Sequence, residues 1–286
     1  RDLGPVQKFL EIEVEHSGDS AKLSQKAYIE KLLDEFHLTN AHGYKTPIAL
    51  GHQPNLSLPG IPFTPETYRR IVGSLQYLAS GTRPDIAFVT NHLSRFNHKS
   101  TVEHWQQLIH VLCYLKATKE LQLVYQKSGK PIEVFSDSDW ASDSVDRRSW
   151  SGMVVKLAGG AIAWHARKQR TPAKSTQEAE YMAVSEVTCE VLWLQGLMQE
   201  LNLSSVIQKP TVVHVDNTGA LNLACNNMTT ERSKHIDIKY HFIRHHIEEG
   251  KFRLQDIDTH DNVADVMTKG LPGPDTIKFR GSLGLK

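Results

Sequence analysis

Residues 176–200 read as one long helix whose apolar stripe is interrupted by a carboxylate, and few folds tolerate that. At 100° per residue, Val184, Val187, Val191, Leu194 and Met198 all fall within about 40° of Glu180. Glu180 therefore lies on the buried stripe, near the N-terminal end of the helix. Glu178, roughly 160° away, is expected to face water. A carboxylate on a core-facing stripe is costly unless a cation compensates it. The chain needs a fold that brings a sheet and a positive charge to the start of this helix.

The flanking segments supply the sheet. The texture changes at Ser128-Gly129-Lys130-Pro131, and beyond it strand-like runs cover 132–138, 151–158 and 161–167. Gly159-Gly160 reads as the tight hairpin between the second and third runs. After the helix come a strand at 211–216, helices at 217–226 and 236–249, a strand at 252–257 and a short helix at 261–269. Asp261 is the expected N-cap of that last helix. Three antiparallel strands followed by alternating helix and strand predict a mixed α/β (α+β) sheet with flanking helices.

Before the boundary the pattern is mostly helical. A strand at 9–15 and a turn at Gly18-Asp19 lead into an amphipathic helix at 24–36. Residues 43–65 are rich in proline and read as a loop, and three helices follow at 65–80, 84–96 and 101–117. Thr64-Pro65 is a good helix start, and Arg83-Pro84 separates the first of these helices from the second. A length of 286 residues accommodates two domains, read as 1–131 and 132–286.

Four acids fall where such a sheet could gather them. Asp137 lies inside the first strand of the second half, at a position that would normally be apolar. Strand parity does not separate it from Asp139, since both point the same way. Asp216 closes the strand 211–216, and ligands in α/β sheets gather outside strand ends of this kind. Asp265 lies in the short C-terminal helix. Hard oxygen donors suit magnesium or manganese rather than zinc. Two such ions about 4 Å apart can clamp an in-line displacement at phosphorus.

Composition narrows the class. Apolar residues make up 40% and charged residues 23%, which is globular and excludes wholesale disorder. No apolar run approaches the roughly 20 residues that span a bilayer, and the polar N-terminus does not read as a signal peptide. The first residue is Arg1 rather than Met, so the expectation is a piece of a longer polyprotein. Cys113, Cys189 and Cys225 are odd in number and form no CxxC pair, which fits free thiols in a reducing compartment. Residues 1–131 hold 15 basic and 12 acidic residues, a net of +3, against 18 and 20, a net of −2, for 132–286. With four of those acids committed to metal, the second half would keep a surface of about +2, compatible with phosphate.

Several runs, read together, carry a resemblance. They are Arg69-Arg-Ile-Val-Gly-Ser-Leu-Gln-Tyr-Leu-Ala, Thr82-Arg-Pro-Asp-Ile-Ala, Ser136-Asp-Ser-Asp-Trp-Ala, Ser175-Thr-Gln-Glu-Ala-Glu-Tyr-Met-Ala and Val215-Asp-Asn. Lys234-His-Ile-Asp-Ile-Lys-Tyr-His-Phe-Ile-Arg and Ala264-Asp-Val-Met-Thr-Lys complete the set. In this order the chain closely resembles the C-terminal part of the Pol polyprotein of copia-type LTR retrotransposons, with its reverse transcriptase and ribonuclease H. The resemblance implies that 1–131 is the end of a reverse transcriptase (end of palm, thumb and connection) and that 132–286 is a ribonuclease H-like domain. It implies hydrolysis of the RNA strand of RNA–DNA hybrids, with Asp137, Glu180, Asp216 and Asp265 holding two Mg2+ (or Mn2+) ions. It also selects Asp137 over Asp139. The implied partners are the hybrid and the rest of the polyprotein, with no membrane. The implied location is a cytoplasmic virus-like particle with a nuclear phase, not a secreted protein.

Two departures limit what the resemblance implies. The family's polymerase keeps paired aspartates, and no Asp-Asp pair occurs here, so DNA synthesis by this chain alone is not expected. Many ribonucleases H place a histidine on a loop about ten residues before the last aspartate. Here that place holds Gln255, while His260 lies five residues before Asp265. A second reading is a truncated or decayed element that keeps the fold and binds nucleic acid without catalysis.

Arg167, Lys168, Arg170 and Lys174 precede the Glu180 helix and read either as a solvated turn or as a phosphate grip. Trp140 and Trp164 could stack on nucleotides, with at least one expected in the core, and Arg147-Arg148 could meet the DNA strand. His235, His241, His245 and His246 cluster without a recognised zinc spacing. The expectation is a helix beside the active site, with His235 and His241 touching nucleic acid.

Overall fold

The computed structural model describes residues 4–49, 61–142, 146–219, 221 and 237–286. The chain divides into two units, one formed by 1–127 with 270–286 and the other by 128–269.

The first unit holds a four-stranded antiparallel sheet, β1 (Lys8–Phe9), β2 (Ile12–Ser17), β3 (Ser20–Ser24) and β4 (Leu123–Gln126), in that order. Gly18-Asp19 turns β2 into β3, with Ser17 opposite Ser20 and Gly18 at φ 55°. Helices α1 (Lys26–Glu35), α2 (Pro65–Gly81), α3 (Ala87–Ser94) and α4 (Val102–Ala117) accompany the sheet. Thr64 caps α2 by accepting from the Thr67 N–H, and Pro65 occupies the first turn, where it loses no hydrogen bond. The helix read at 84–96 is a 3-10 turn, Pro84–Ile86, followed by α3. The strands β3 and β4 are not legible in the sequence, being too short to show alternation.

Arg83 and Asp85 form a buried ion pair in this unit, Nη2 to Oδ2 at 2.7 Å, with both side chains 1% exposed. The Tyr114 hydroxyl donates to the same carboxylate at 2.6 Å, and Arg83 Nη2 also donates to Thr118 Oγ1 at 2.7 Å. Burial alone would push the Asp85 carboxyl up, but the Arg83 charge and the hydrogen bonds from Arg83 and Tyr114 outweigh it and hold it low.

The second unit is the expected mixed α/β sheet. Strands β5 (Glu133–Asp139), β6 (Trp150–Leu157), β7 (Gly160–Lys168), β8 (Thr211–Val215) and β9 (Phe252–Asp256) stand in the order β7-β6-β5-β8-β9. The first three are antiparallel, and β8 and β9 run parallel to β5 and to each other. The β6–β7 turn is Ala158-Gly159, at φ 54° and 82°, and Gly160 already pairs with Leu157. Positive φ at both central residues suits the twist of a two-residue hairpin. The turn is thus one residue earlier than the glycine pair suggested.

Helix α5 (Thr176–Glu200) lays Tyr181, Val184, Val187, Val191, Leu194 and Met198 on Val134, Met153, Val155, Val213 and Val215 of the sheet. Helix α6 (Asp237–Glu248) adds Tyr240 and Ile243 to the same core. The short helix expected at 261–269 is two 3-10 turns, 259–261 and 263–267. Asn262, not Asp261, caps the second by accepting from the Ala264 N–H at 3.2 Å.

Residues 270–286, read from sequence as the tail of the second domain, group with the first unit. The reason is backbone pairing: Gln122 and Lys286 exchange hydrogen bonds at 2.8 and 3.0 Å, and Val124 N–H donates to Gly284 O at 2.9 Å. Helix α7 (Gly273–Ser282) lies in this tail. Most of the helix read at 217–226 falls outside the described residues, as does His235.

Candidate active site

The site gathers where β5, β8 and the N-terminal part of α5 meet. Asp137 is the fifth residue of β5 and is 4% exposed. Asp216 follows the last residue of β8, which runs parallel to β5 and so carries it to the same end of the sheet. Ser175 caps α5 by accepting from the Glu178 N–H at 3.2 Å, and Glu180, the fifth residue of the helix, is 3% exposed. One carboxylate oxygen from each of Asp137, Glu180 and Asp216 lies within 4.8 Å of the others. Asp139 is not part of that group.

The fourth acid arrives with the 263–267 turn. Asn262 Nδ2 donates to Ser136 O at 2.9 Å and so fixes the turn to β5. Gly152, opposite Asp137 on β6, lets the turn settle there. A Cβ at 152 would stand 2.8 Å from Ala264 O and from Thr268 Cγ2. Asp265 is 5% exposed, and its charge reaches Asp137.

The electrostatics are those of acids held together against repulsion. Burial, then the charges of Asp265 and Asp216, push Asp137 up to about 7 despite a hydrogen bond from Thr268. Burial, then Asp137 and Asp216, push Glu180 well above the ordinary range. Burial also raises Asp265, against the pull of Lys269, whose Nζ is 2.9 Å from Asp265 Oδ2. Two carboxylate oxygens, Glu180 Oε2 and Asp265 Oδ1, are buried with no hydrogen-bond partner among the described residues. Buried acceptors of this kind, aimed into a cluster of like charge, are the donor set that a hard divalent cation requires. The residues present fit magnesium or manganese.

Hydrogen bonds orient the ligands. Thr268 Oγ1 donates to Asp137 Oδ2, and the Ser138 N–H donates to Glu180 Oε1 at 3.2 Å. Asn262, Thr268, Lys269 and Gly152 were not singled out from sequence. Lys269 had one available signal, its place four residues after Asp265 on a single turn.

Other expected residues are distributed as follows. Arg167, Arg170 and Lys174 are exposed, and Lys168 pairs with Asp146 at 2.6 Å. Arg167 is in register with Ser151, which is opposite Ser138, so it lies two strands or about 10 Å from the β5 backbone. Between these cations Gln169 is buried and donates to Ser151 Oγ at 3.0 Å and Ala179 O at 2.9 Å, anchoring the link to α5. Glu178 does not face water. It is 8% exposed and accepts from the Lys174 N–H at 3.0 Å, because the link folds back over the start of α5. Trp140 is 44% exposed, its Nε1 donating to Ala173 O, and Trp164 is half-buried, so neither lies in the core. His241 is exposed and lines a groove on α6 with Phe242, Arg244 and His245. His260 is exposed on the 259–261 turn. Among the described residues no helix is long and apolar enough to cross a membrane.

No family model matches the chain. Among solved structures, LC11-RNase H1, isolated from compost, covers 49% of this chain and 93% of its own at 15% identity, with a TM-score of 0.37. The retrovirus-related Pol polyprotein from transposon TNT 1-94 of Nicotiana tabacum is 38% identical over 282 residues, 95% of this chain. That from transposon RE1 of Arabidopsis thaliana is 38% identical over the whole chain. The chain spans about a fifth of the length of these curated relatives, 21% and 19%. Identity at this level, sustained from one end of the chain to the other, shows that the chain is homologous to a segment of the retrovirus-related Pol polyproteins of copia-like transposons.

Proposed function

We propose that the second unit is the ribonuclease H of a copia-like Pol polyprotein and cuts the RNA strand of RNA–DNA hybrids. The observation that carries this reading is the convergence of Asp137, Glu180 and Asp216, joined by Asp265, with two buried oxygens left without a partner. These four residues would hold two magnesium or manganese ions. Bound there, the ions would supply Lewis-acid stabilisation of the phosphoryl oxygens and a hydroxide-like water.

The chain's own residues hold the ligands and the substrate. Thr268 and the Ser138 N–H fix the carboxylates of Asp137 and Glu180, so that little reorganisation is left for the reaction itself. Lys269 offsets part of the negative charge when the site is empty of metal. Arg167, Arg170 and Lys174, with Lys168 steadied by Asp146, are the proposed contacts to phosphates, and His235 and His241 are further proposed contacts to the nucleic acid. Such contacts set affinity and register rather than sequence preference. The first unit is proposed as the end of a reverse transcriptase, without a polymerase centre. Its partners would be the rest of the polyprotein, in a cytoplasmic virus-like particle with a nuclear phase.

The test is cleavage of a labelled RNA–DNA hybrid by the purified chain in magnesium or manganese. Cleavage that stops on adding EDTA and returns with excess magnesium is the expected result. Equal activity in EDTA, or no cleavage with either ion, would overturn the reading.

A further inference from the structure

The end of α6 carries three ligand-type side chains that the carboxylate site does not use. His245, His246 and Glu249 each offer one donor atom, and the three atoms lie within 4.8 Å of one another. His245 Nε2 is 3.5 Å from Glu249 Oε1, and His246 Nδ1 is 3.3 Å from Glu249 Oε2. The helix brings Glu249 to both histidines, since residues three and four apart share a face. The Glu249 N–H donates to His245 O at 3.0 Å, so the helical register persists to that residue.

The spacing suits a particular ion class. Zinc holds nitrogen and oxygen at about 2.0–2.2 Å in a tetrahedron, which separates neighbouring ligand atoms by roughly 3.3–3.5 Å. The two gaps fall in that range, each to a different oxygen of the Glu249 carboxylate. One ligand is also preset: His246 is 16% exposed at its side chain and meets Phe242 edge-on, with ring centroids 4.8 Å apart. Two imidazoles and a carboxylate leave one position for water or a further ligand. Imidazole donors select zinc and its neighbours over magnesium.

We propose that His245, His246 and Glu249 form a site for a zinc-class divalent transition metal, separate from the magnesium-type carboxylate cluster. Imidazole nitrogen spectra of the 15N-labelled chain, titrated with zinc sulfate in excess magnesium, test it. His245 should move to the pattern of coordination through Nε2 and His246 to that through Nδ1, saturating together near one equivalent, with His16 and His98 unmoved. Glu249→Gln should weaken the titration at least about tenfold, as loss of a metal-supporting carboxylate does. His245→Ala should abolish the His246 shift. His245 is 64% exposed at its side chain, so these variants should keep the fold, checked by circular dichroism. Unmoved His245 and His246 signals at millimolar zinc, equal shifts at all the exposed histidines, or an unchanged titration in Glu249→Gln would overturn the proposal.

Discussion

Glu180 and Glu178 are two residues apart, both nearly buried, and held for different reasons. Glu180 keeps one oxygen on the Ser138 N–H and turns the other, unpartnered, into the carboxylate cluster. Glu178 spends its carboxylate on the Lys174 N–H and serves the link that precedes the helix. Glu180→Gln is therefore expected to slow hybrid cleavage at least about a hundredfold, roughly 2.7 kcal/mol in the barrier. Glu178→Gln keeps an acceptor oxygen for Lys174 and should lose less than about threefold, or roughly 0.7 kcal/mol. Rates at saturating magnesium decide between them, and a large loss at 178 with little at 180 would reassign the ligand. Helical periodicity is enough to place Glu180 on the core stripe. It does not reveal that Glu178 is buried, because that burial comes from a loop folding over the helix, and loop packing has no period.

The 263–267 turn is the element on which the fourth acid depends, and Gly152 is what lets it settle on β6. A Cβ at that position meets the Ala264 carbonyl oxygen at 2.8 Å and Met267 Cβ at 2.9 Å, and neither can swing aside as a flexible side-chain tip would. Gly152→Ala should therefore displace the turn, with a destabilisation of about 1–3 kcal/mol from overpacking. A shift of Asp265 by about 1 Å is the kind of misplacement that costs on the order of a hundredfold in rate. Thermal melting and the cleavage rate check the two effects separately, and a variant with wild-type values for both would show that the turn bears no such role. The long elements of this half are legible in the sequence to within a residue or so, since Ser128–Pro131 and Gly159-Gly160 punctuate β5 to β7 and α5 has a clean stripe. The turn is not, because Asp258, Asp261 and Asn262 are all good caps, and only the Asn262 bond to Ser136 selects one.

Across the molecule, the buried Arg83–Asp85 pair lies in the first unit, which has none of the four acids. Asp85→Ala leaves Arg83 buried without its counter-charge and should cost about 3–5 kcal/mol at pH 7. The folded-state pKa of Asp85 lies below its ordinary value of about 3.9. Its contribution is therefore full above that value and is lost as pH falls through the lower folded value. Urea unfolding should show a wild-type advantage that is constant from pH 7 to about 5 and narrows below about 4. An advantage unchanged at low pH would mean that the pair is not the source.

The tail that pairs with Gln122 and Val124 gives the chain an order of completion opposite to its order of synthesis. Domains usually fold as they leave the ribosome, the N-terminal one first. Here residues 1–127 emerge before residues 128–269, yet their unit lacks its Gly284 and Lys286 partners until residues 284–286 have been made. The unit with the carboxylates has all of its residues once Lys269 is out. On a growing chain, the half made second can close first, while the half made first waits with the β4 edge uncovered.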